Sequence, residues 1–199
     1  GKILRGREHK QVRLQCPDGA KLAVRSYIPP GAITIAGLVH GALCMDEIWR
    51  TNGNSSIAEE MVKKQIGVVT IDLRHHGKSR QVGNFDDSFE ACVKNDIPTF
   101  IDYLEEIANG RPFHVVGHSL GYMLFSVYDA SSNDDRVRSS VDLAGPIKIG
   151  SDRRIIQTSL DISYLYSQFS SAKLIKTLFN GTLRWARKLP GEFALAFLT

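Results

Sequence analysis

The chain has 199 residues, of which 43% are hydrophobic and 23% are charged. This length and composition suit one globular domain with a sizeable core, and they exclude a disordered, collagen-like or disulfide-stapled protein. The net charge of +4 arises in residues 151–199, because the first 150 residues are balanced. The equal numbers of acidic and basic residues in the first 150 positions argue against a nucleic-acid-binding protein. Such a protein should carry an extended basic surface with exposed aromatic residues.

The three cysteines, Cys16, Cys44 and Cys92, are far apart, and none forms a C-x-x-C pair or a spacing with histidine that suits zinc. We expect them to be small buried hydrophobic side chains. No apolar run of about 18 residues predicts a spanning helix. No signal peptide is recognisable, but the chain begins at Gly1 rather than Met, so the sequence leaves the localisation open.

The first predicted elements form a β-hairpin. Residues 11–16 and 21–28 alternate between polar and apolar side chains, as half-exposed strands do. The tripeptide PDG at residues 17–19 is typical of the turn between them. The tripeptide PPG at residues 29–31 then interrupts the chain.

Buried strands and helices are predicted to alternate after the hairpin. Continuous β-branched runs are typical of strands covered on both faces, which means a parallel sheet between helices. The predicted strands are Thr34–Val39, 68–71, 113–116 and the less apolar Ser139–Leu143. The predicted helices are 55–65, 88–108 with a kink at Pro98, and 120–130. This order predicts an α/β fold with an open, doubly wound, mostly parallel sheet.

The pattern changes after residue 150. Residues 151–199 have helical periodicity, no convincing strand and seven aromatic residues. We predict that residues 1–150 form the core of the domain and that residues 151–199 form a helical cap over the edge of the sheet. The apolar and basic character of the cap suggests a small hydrophobic substrate or contact with a membrane surface, whereas packing on the core and a solvated face are the alternatives.

The pentapeptide GHSLG at residues 117–121 follows one predicted strand and begins the next predicted helix. A strand-to-helix turn this tight strains the backbone of the serine, and the two glycines leave room for it. The pattern predicts that the hydroxyl of Ser119 is lifted clear of the sheet at the positive end of the helix. A glycine-rich turn with an incidental serine is the alternative.

The pentapeptide VHGAL at residues 39–43 follows the strand that begins at Thr34. A tetrahedral oxyanion needs two or more backbone donors aimed at one point. The amide of Leu120 is one candidate donor. Gly41 permits a turned-back backbone, so Ala42 is the first choice for the second donor and Leu43 is the next. A plain strand-end turn is the alternative.

The side chains of the same two loops are predicted to contact substrate. These residues are His40, Leu43 and His118. For the two histidines, the placement of the backbone in the motif is expected to matter more than the ring.

A third motif, the octapeptide DLRHHGKS, occupies residues 72–79. It could supply a metal pair at His75 and His76 or a catalytic acid at Asp72. Adjacent histidines rarely converge on one ion without a third nearby ligand. We therefore favour a buried turn in which Asp72 and Arg74 hydrogen-bond the loop.

Together the three motifs resemble the α/β-hydrolase superfamily, particularly its lipase and esterase-like members, over residues 11–146. In that superfamily an H-G loop follows the third strand and a D-x-R-x-x-G-x-S segment follows the fourth strand. The fifth strand is followed by the nucleophile elbow, the G-x-S-x-G turn that carries the serine. The resemblance implies a serine hydrolase in which Ser119 is the nucleophile and Ala42 and Leu120 donate to the oxyanion. It implies no metal and no organic cofactor.

Two residues depart from the family pattern. His75 stands where the family usually has glycine. Tyr122 follows the elbow where a small residue is common, so it either narrows the pocket or alters the packing of the helix.

The resemblance also implies an acid after a seventh strand and a histidine after an eighth, and neither strand is predicted in this chain. The histidines are His9, His40, His75, His76, His114 and His118. None is an attractive base for Ser119, so the chain alone should be nearly inactive. We favour a second chain that carries the remaining core strands, the acid and the histidine over an isolated fragment, because the piece alone would expose an apolar patch and an unpaired sheet edge.

The leading hypothesis for function is hydrolysis of a carboxylic ester, or a related acyl transfer, through an acyl-Ser119 intermediate. The second is a non-catalytic binding or regulatory protein that kept the fold. Labelling of Ser119 by a fluorophosphonate separates the two hypotheses.

Overall fold

The computed structural model describes residues 10–50, 56–80 and 85–145. They all belong to the unit Gly1–Ile147. Its centre is a six-stranded sheet with helices between the strands, which confirms the predicted α/β fold. The predicted helical cap of residues 151–199 lies outside the described residues.

The predicted hairpin is present as two antiparallel strands, β1 (Lys10–Gln15) and β2 (Lys21–Tyr27). β1 lies at the edge of the sheet, and its residues alternate between exposed and half-buried positions as predicted. The half-exposed character predicted for β2 is wrong, because every residue after Lys21 is buried. The reason is that β2 pairs on its other side with β4 (Ile66–Asp72), so it is an interior strand.

The remaining strands are β3 (Thr34–Val39), β5 (Phe113–His118) and β6 (Ser139–Leu143). The spatial order is β1-β2-β4-β3-β5-β6, with β4, β3, β5 and β6 parallel to one another. After β3 the chain moves to β4 on one side, and it then returns to β5 on the other side. Such a reversal opens a crevice at the carboxyl ends of the two strands between which it occurs, here β3 and β5.

One face of the sheet is covered by a 3-10 helix, Asp46–Trp49, and by α1 (Ile57–Lys63). α1 begins with a capping box in which Ser56 and Glu59 each accept a hydrogen bond from the backbone N–H of the other. It is shorter than the predicted helix 55–65, because Gln65 adopts a positive φ of 61°. The 3-10 helix was not predicted.

The other face is covered by the long helical segment before β5 and by α4 (Leu120–Ser132). The long segment consists of α2 (Phe89–Ala91), a π-helical turn (Cys92–Asp96) and α3 (Ile97–Ala108), which follow one another without a break. None of the helices in the described ranges is long and apolar enough to cross a membrane.

The π-helical turn lies directly before Pro98, where the sequence predicts a kink. The amide of Ile97 donates to the carbonyl of Cys92, five residues earlier. Proline has no amide hydrogen, and its ring would collide with the carbonyl four residues before it in a regular α-helix. The wider turn in front of Pro98 lets the helix continue past the proline.

Candidate active site

The candidate site lies where β3 and β5 end. The two strands are parallel and Val39 pairs with Gly117, so the loops that follow them begin at the same edge of the sheet. A β-carbon at Gly41 would lie 3.1 Å from Ser119 Cβ and 3.2 Å from the carbonyl oxygen of His118. The loop after β3 therefore contacts the turn after β5, which brings together two of the motifs that the sequence singled out.

Ser119 forms the turn between β5 and α4. Its backbone has φ 49° and ψ −116°, a conformation that costs about 1–3 kcal/mol in a residue with a side chain. The Ser119 amide donates to the carbonyl of Leu143 in β6, 3.0 Å away, and its carbonyl accepts from the amides of Tyr122 and Met123. The neighbouring strand and the first turn of the helix thus hold the strained residue, whose side chain is only half-buried.

Both glycines of the GHSLG motif are required by close contacts. A β-carbon at Gly117 would lie 2.5 Å from the amide nitrogen of Tyr122 in α4. A β-carbon at Gly121 would lie 2.6 Å from the carbonyl oxygen of His40 and closer still to that of Val39. Glycine at these two positions lets α4 begin directly against the ends of β5 and β3.

Tyr122 is explained by helix packing. Its backbone fills the space beside Gly117, and its ring approaches Gly145, where a β-carbon would lie 3.0 Å from Tyr122 Cδ1. Of the two alternatives for this residue, the structure therefore supports altered packing between α4 and the end of β6.

Ser119 lies near several backbone amides that have no acceptor among the described residues. Those of Ala42, Leu43 and Leu120 are among them. Leu120 is the first residue of α4, where the amides have no partner within the helix and the helix dipole is positive. Leu43 has a φ of 61°, and the amide of Cys44 donates to the carbonyl of Gly41, so the loop turns back on itself. Unpartnered amides of this kind can stabilise a developing oxyanion.

The ring of His40 is fully buried and uses both nitrogens within the protein. Nε2 accepts a hydrogen bond from the amide of Leu73 at 3.1 Å, and Nδ1 lies 2.7 Å from the carbonyl oxygen of Gly41, to which it donates. Burial, together with a smaller effect of the neighbouring ring of His76, lowers the pKa of His40 to about 3. The ring is therefore neutral and ties the loop after β3 to the loop after β4, which differs from the predicted role of contacting substrate.

His118 and Leu43 are both half-buried at the crevice. The ring of His118 lies edge-on to that of Trp49, with centroids 6.5 Å apart and an interplanar angle of 89°. Its buried Nδ1 has no hydrogen-bond partner among the described residues, and a β-carbon at Gly41 would lie 2.8 Å from it. Contact between substrate and these two side chains stays a prediction.

The motif at residues 72–79 forms the buried turn that the sequence analysis favoured. Asp72 Oδ1 accepts from the amide of Asp46 at 2.7 Å, and Oδ2 accepts from the amide of Lys78 at 2.9 Å. Burial raises the pKa of Asp72, although these two hydrogen bonds oppose the shift. His75 has a positive φ of 60°, a conformation that glycine adopts more readily than a residue with a side chain.

Arg74 fixes the same turn to the helical segment before β5. It is 2% exposed, and its guanidinium group donates to Asp96 at 2.6 and 2.8 Å and to Asp18 at 2.8 Å. The ring of His76 is used locally, because its Nδ1 lies 2.8 Å from the carbonyl oxygen of Arg74. Within the described ranges, no three His, Cys, Asp or Glu residues could hold a metal ion together.

A base for Ser119 is not found in the described part of the chain, where no histidine ring is hydrogen-bonded to its hydroxyl. His114 lies within β5 and pairs through Nδ1 with Ser139 Oγ of β6 at 2.8 Å. His9 lies outside the described residues. The prediction that the histidine and the acid come from elsewhere stays a prediction.

The sequence analysis missed a group of residues that hold the loop after β3. Asp46 is 4% exposed and accepts hydrogen bonds from Arg25 and Thr70, each at 3.1 Å. No local pattern identifies it, because these partners come from β2 and β4. The only signal in the sequence is its position, a few residues after the H-G loop.

Comparison with known proteins agrees with the fold. The model of the alpha/beta hydrolase family matches residues 38–197. An esterase from Pyrococcus furiosus is 19% identical with a TM-score of 0.57, covering 77% of this chain and 61% of the esterase. An esterase from Exiguobacterium antarcticum is 16% identical with a TM-score of 0.57, covering 69% and 46%. A carboxyl esterase from Bacillus coagulans is 20% identical with a TM-score of 0.52, covering 67% and 43%.

No curated protein matches the chain. At these identities the similarity to solved structures shows the fold alone, and the chain spans about half the length of the structures it matches. The family match, in contrast, extends over most of the chain. The chain therefore belongs to the alpha/beta hydrolase family.

Proposed function

We propose that this chain carries the nucleophile and the oxyanion donors of a serine hydrolase that cleaves carboxylic esters or transfers their acyl group. The observation that carries the proposal is the strained backbone of Ser119, which faces a loop in which the amides of Ala42 and Leu43 have no acceptor among the described residues. Membership of the alpha/beta hydrolase family and a fold shared with several esterases support the same chemistry.

In the proposed reaction, Ser119 Oγ attacks the carbonyl carbon of the ester and passes its proton to a histidine. The carbonyl oxygen becomes an oxyanion, to which the amides of Leu120 and Ala42 donate, with Leu43 as the second choice in the loop. Loss of one such donor raises the barrier by about 3–4 kcal/mol. The intermediate then breaks its bond to the alcohol, which takes the proton from the histidine and leaves acyl-Ser119. Water or another acceptor repeats these steps and releases the acyl group.

A serine hydroxyl is a weak nucleophile without a base. We propose that the histidine and the acid are supplied by a second polypeptide, or by a further segment of a longer chain, that carries the remaining core strands. The chain spans about half the length of the solved structures it matches, which supports this part of the proposal. The chain alone is then expected to be nearly inactive.

The proposed substrate is a small hydrophobic ester or acyl compound. The loop beside Ser119 carries apolar side chains that are only half-buried, namely Ala42, Leu43 and Met45. Half-buried apolar groups next to a nucleophile favour an apolar acyl group over a charged one.

A fluorophosphonate probe tests the proposal. The chain is assayed alone and together with the segment that completes the sheet, beside the variants Ser119→Ala and Ser126→Ala. Ser126 is a matched control, because it lies in the same helix and its hydroxyl bonds the carbonyl of Met123. We expect labelling of Ser119 in the complete assembly, its loss in Ser119→Ala and its retention in Ser126→Ala. A complete assembly that is not labelled would support the non-catalytic binding protein instead.

A further inference from the structure

The loop that carries the proposed oxyanion donors, residues 41–45, is tied to the sheet at both ends. We call it the oxyanion loop. At its start, the buried ring of His40 accepts from the amide of Leu73. At its end, the amide of Asp46 donates to Asp72 Oδ1 at 2.7 Å. The first tie reaches Leu73, directly after β4, and the second reaches Asp72, the last residue of β4, which is the strand next to β3.

The carboxylate of Asp46 binds four donors from three parts of the chain. Oδ2 accepts from Arg25 Nη1 in β2, from Thr70 Oγ1 in β4 and from Arg50 Nε, each at 3.1 Å. Oδ1 accepts from Arg50 Nη2 at 3.0 Å. Asp46 is buried, and a buried charge that loses its partners is strongly unfavourable. The carboxylate therefore fixes the position of the backbone to which it belongs.

The oxyanion loop has little else to hold it. Residues 42–45 are half-buried and form no helix or strand. Leu43 has a positive φ of 61°, a conformation that a residue with a side chain keeps only when its surroundings impose it. Segments with few buried apolar contacts open most easily. The two ends of the loop therefore decide where its amides point.

We propose that Asp46 is a positioning residue for catalysis. Through Arg25, Arg50 and Thr70 it holds the far end of the oxyanion loop, so that the amides of Ala42 and Leu43 stay aimed at the carbonyl that Ser119 attacks. This inference rests on the proposed function of Ser119.

The test compares three variants in the complete enzyme. Asp46→Asn keeps the size of the side chain but removes its charge and places an amide donor among the arginines. Thr70→Val removes one hydrogen bond to Asp46 and is the milder change. Glu47→Gln is the matched control, because it makes the same change of acid to amide at the next residue, whose side chain is 59% exposed.

Two measurements are made on each variant. Hydrogen exchange reports the protection of the amides at residues 41–46, and hydrolysis of an activated ester reports kcat and KM. A misplacement of about 1 Å can lower a rate by roughly 100-fold. We expect Asp46→Asn to increase exchange in the oxyanion loop and to lower kcat by roughly 10- to 100-fold, with KM changed by less than about twofold, because the lost interaction acts in the transition state. Thr70→Val should show the same changes to a smaller extent, and Glu47→Gln neither.

Three results would overturn the inference. The first is that folded Asp46→Asn has the same hydrogen exchange and kcat as the wild-type enzyme. If Asp46→Asn does not fold, the same result in Thr70→Val would overturn the inference. The second is faster exchange with unchanged kcat, which would make Asp46 an anchor of the fold alone. The third is a wild-type enzyme without esterase activity, which would also refute the proposed function of Ser119. In that case the exchange data still show whether Asp46 holds the oxyanion loop in place.

Discussion

The substitution Gly121→Ala tests whether α4 must begin directly against β3. The new β-carbon would lie 2.6 Å from the carbonyl oxygen of His40 and closer still to that of Val39. Real β-carbons essentially never come closer than 3.0 Å to such atoms, so a displacement of more than about 0.4 Å is needed. The obstructing atoms are backbone atoms at the end of a strand paired on both sides, so they cannot move as a side chain would.

The cost of this substitution has two parts. Forcing an extra carbon into a well-packed site costs about 1–3 kcal/mol. Alanine is favoured over glycine in a helix by about 1 kcal/mol, which offsets part of that cost. We expect the free energy of unfolding to fall by up to about 2 kcal/mol. The larger effect should be on reactivity, because Ser119 moves relative to the oxyanion loop, and we expect fluorophosphonate labelling to slow by roughly 10- to 100-fold.

Gly110→Ala is the control for Gly121→Ala. Gly110 has a φ of +82° and nothing within 4 Å of its β-carbon position, so alanine there strains the backbone without a collision. It should lower stability by about 1 kcal/mol and leave the labelling rate unchanged. Urea unfolding and the labelling rate are measured for both variants. The reasoning is refuted if Gly121→Ala labels as fast as the wild-type protein.

Two further predictions concern stability. Arg74→Met should lower the free energy of unfolding by about 3–5 kcal/mol, because Asp96 is left buried without its charged partner. The double variant Arg74→Met with Asp96→Leu should recover much of this loss. An Arg74→Met variant that is as stable as the wild type in urea would contradict the prediction. His40 has a pKa of about 3 in the folded protein, whereas its ordinary value is 6.5. As the pH falls from 6.5 towards 3, the unfolded chain therefore binds a proton at His40 that the folded protein does not bind. The free energy of unfolding falls in this range by about 1.4 kcal/mol per pH unit. This contribution is fully present above pH 6.5, and His40→Gln should have a correspondingly shallower slope in urea titrations between about pH 7 and pH 4; equal slopes for the two proteins would contradict the assignment.

The strands β3 and β6 could be predicted closely because their signal is local. β3 and β6 match their predicted bounds residue for residue. Each is a short run of strand-forming residues that is bounded by a break in the pattern. Examples are the turn before Thr34 and the positive φ at Ala144. α4 extends two residues beyond its prediction, to Ser132, and ends where Asn133 adopts a left-handed conformation.

The burial of β2 could not be predicted, because it depends on which strand lies beside it. Its alternating pattern suits a half-exposed strand, yet pairing with both β1 and β4 places it inside the sheet. The π-helical turn before Pro98 is a similar case. A proline in a helical pattern predicts a disturbance, but the way the helix accommodates it follows from packing.

The candidate site divides in the same way. Spacing alone identified the turn at Ser119 and the loop at Gly41, because each requires glycine at fixed positions. The carboxylate of Asp46 and the ring of His40 could not be assigned, since their partners Arg25, Thr70 and Leu73 are 21 to 33 residues away. Long-range polar contacts of this kind leave no periodic signal in a single sequence.

Trapping the acyl-enzyme tests the central claim most directly. The complete enzyme is mixed with a p-nitrophenyl ester, quenched in acid within the first turnover and digested for mass spectrometry. If Ser119 is acylated, the peptide that contains residues 117–121 should gain the mass of the acyl group. Both this added mass and ester hydrolysis should be lost in Ser119→Ala. An acyl group found on another residue, or hydrolysis that continues in Ser119→Ala, would contradict the claim that Ser119 is the nucleophile.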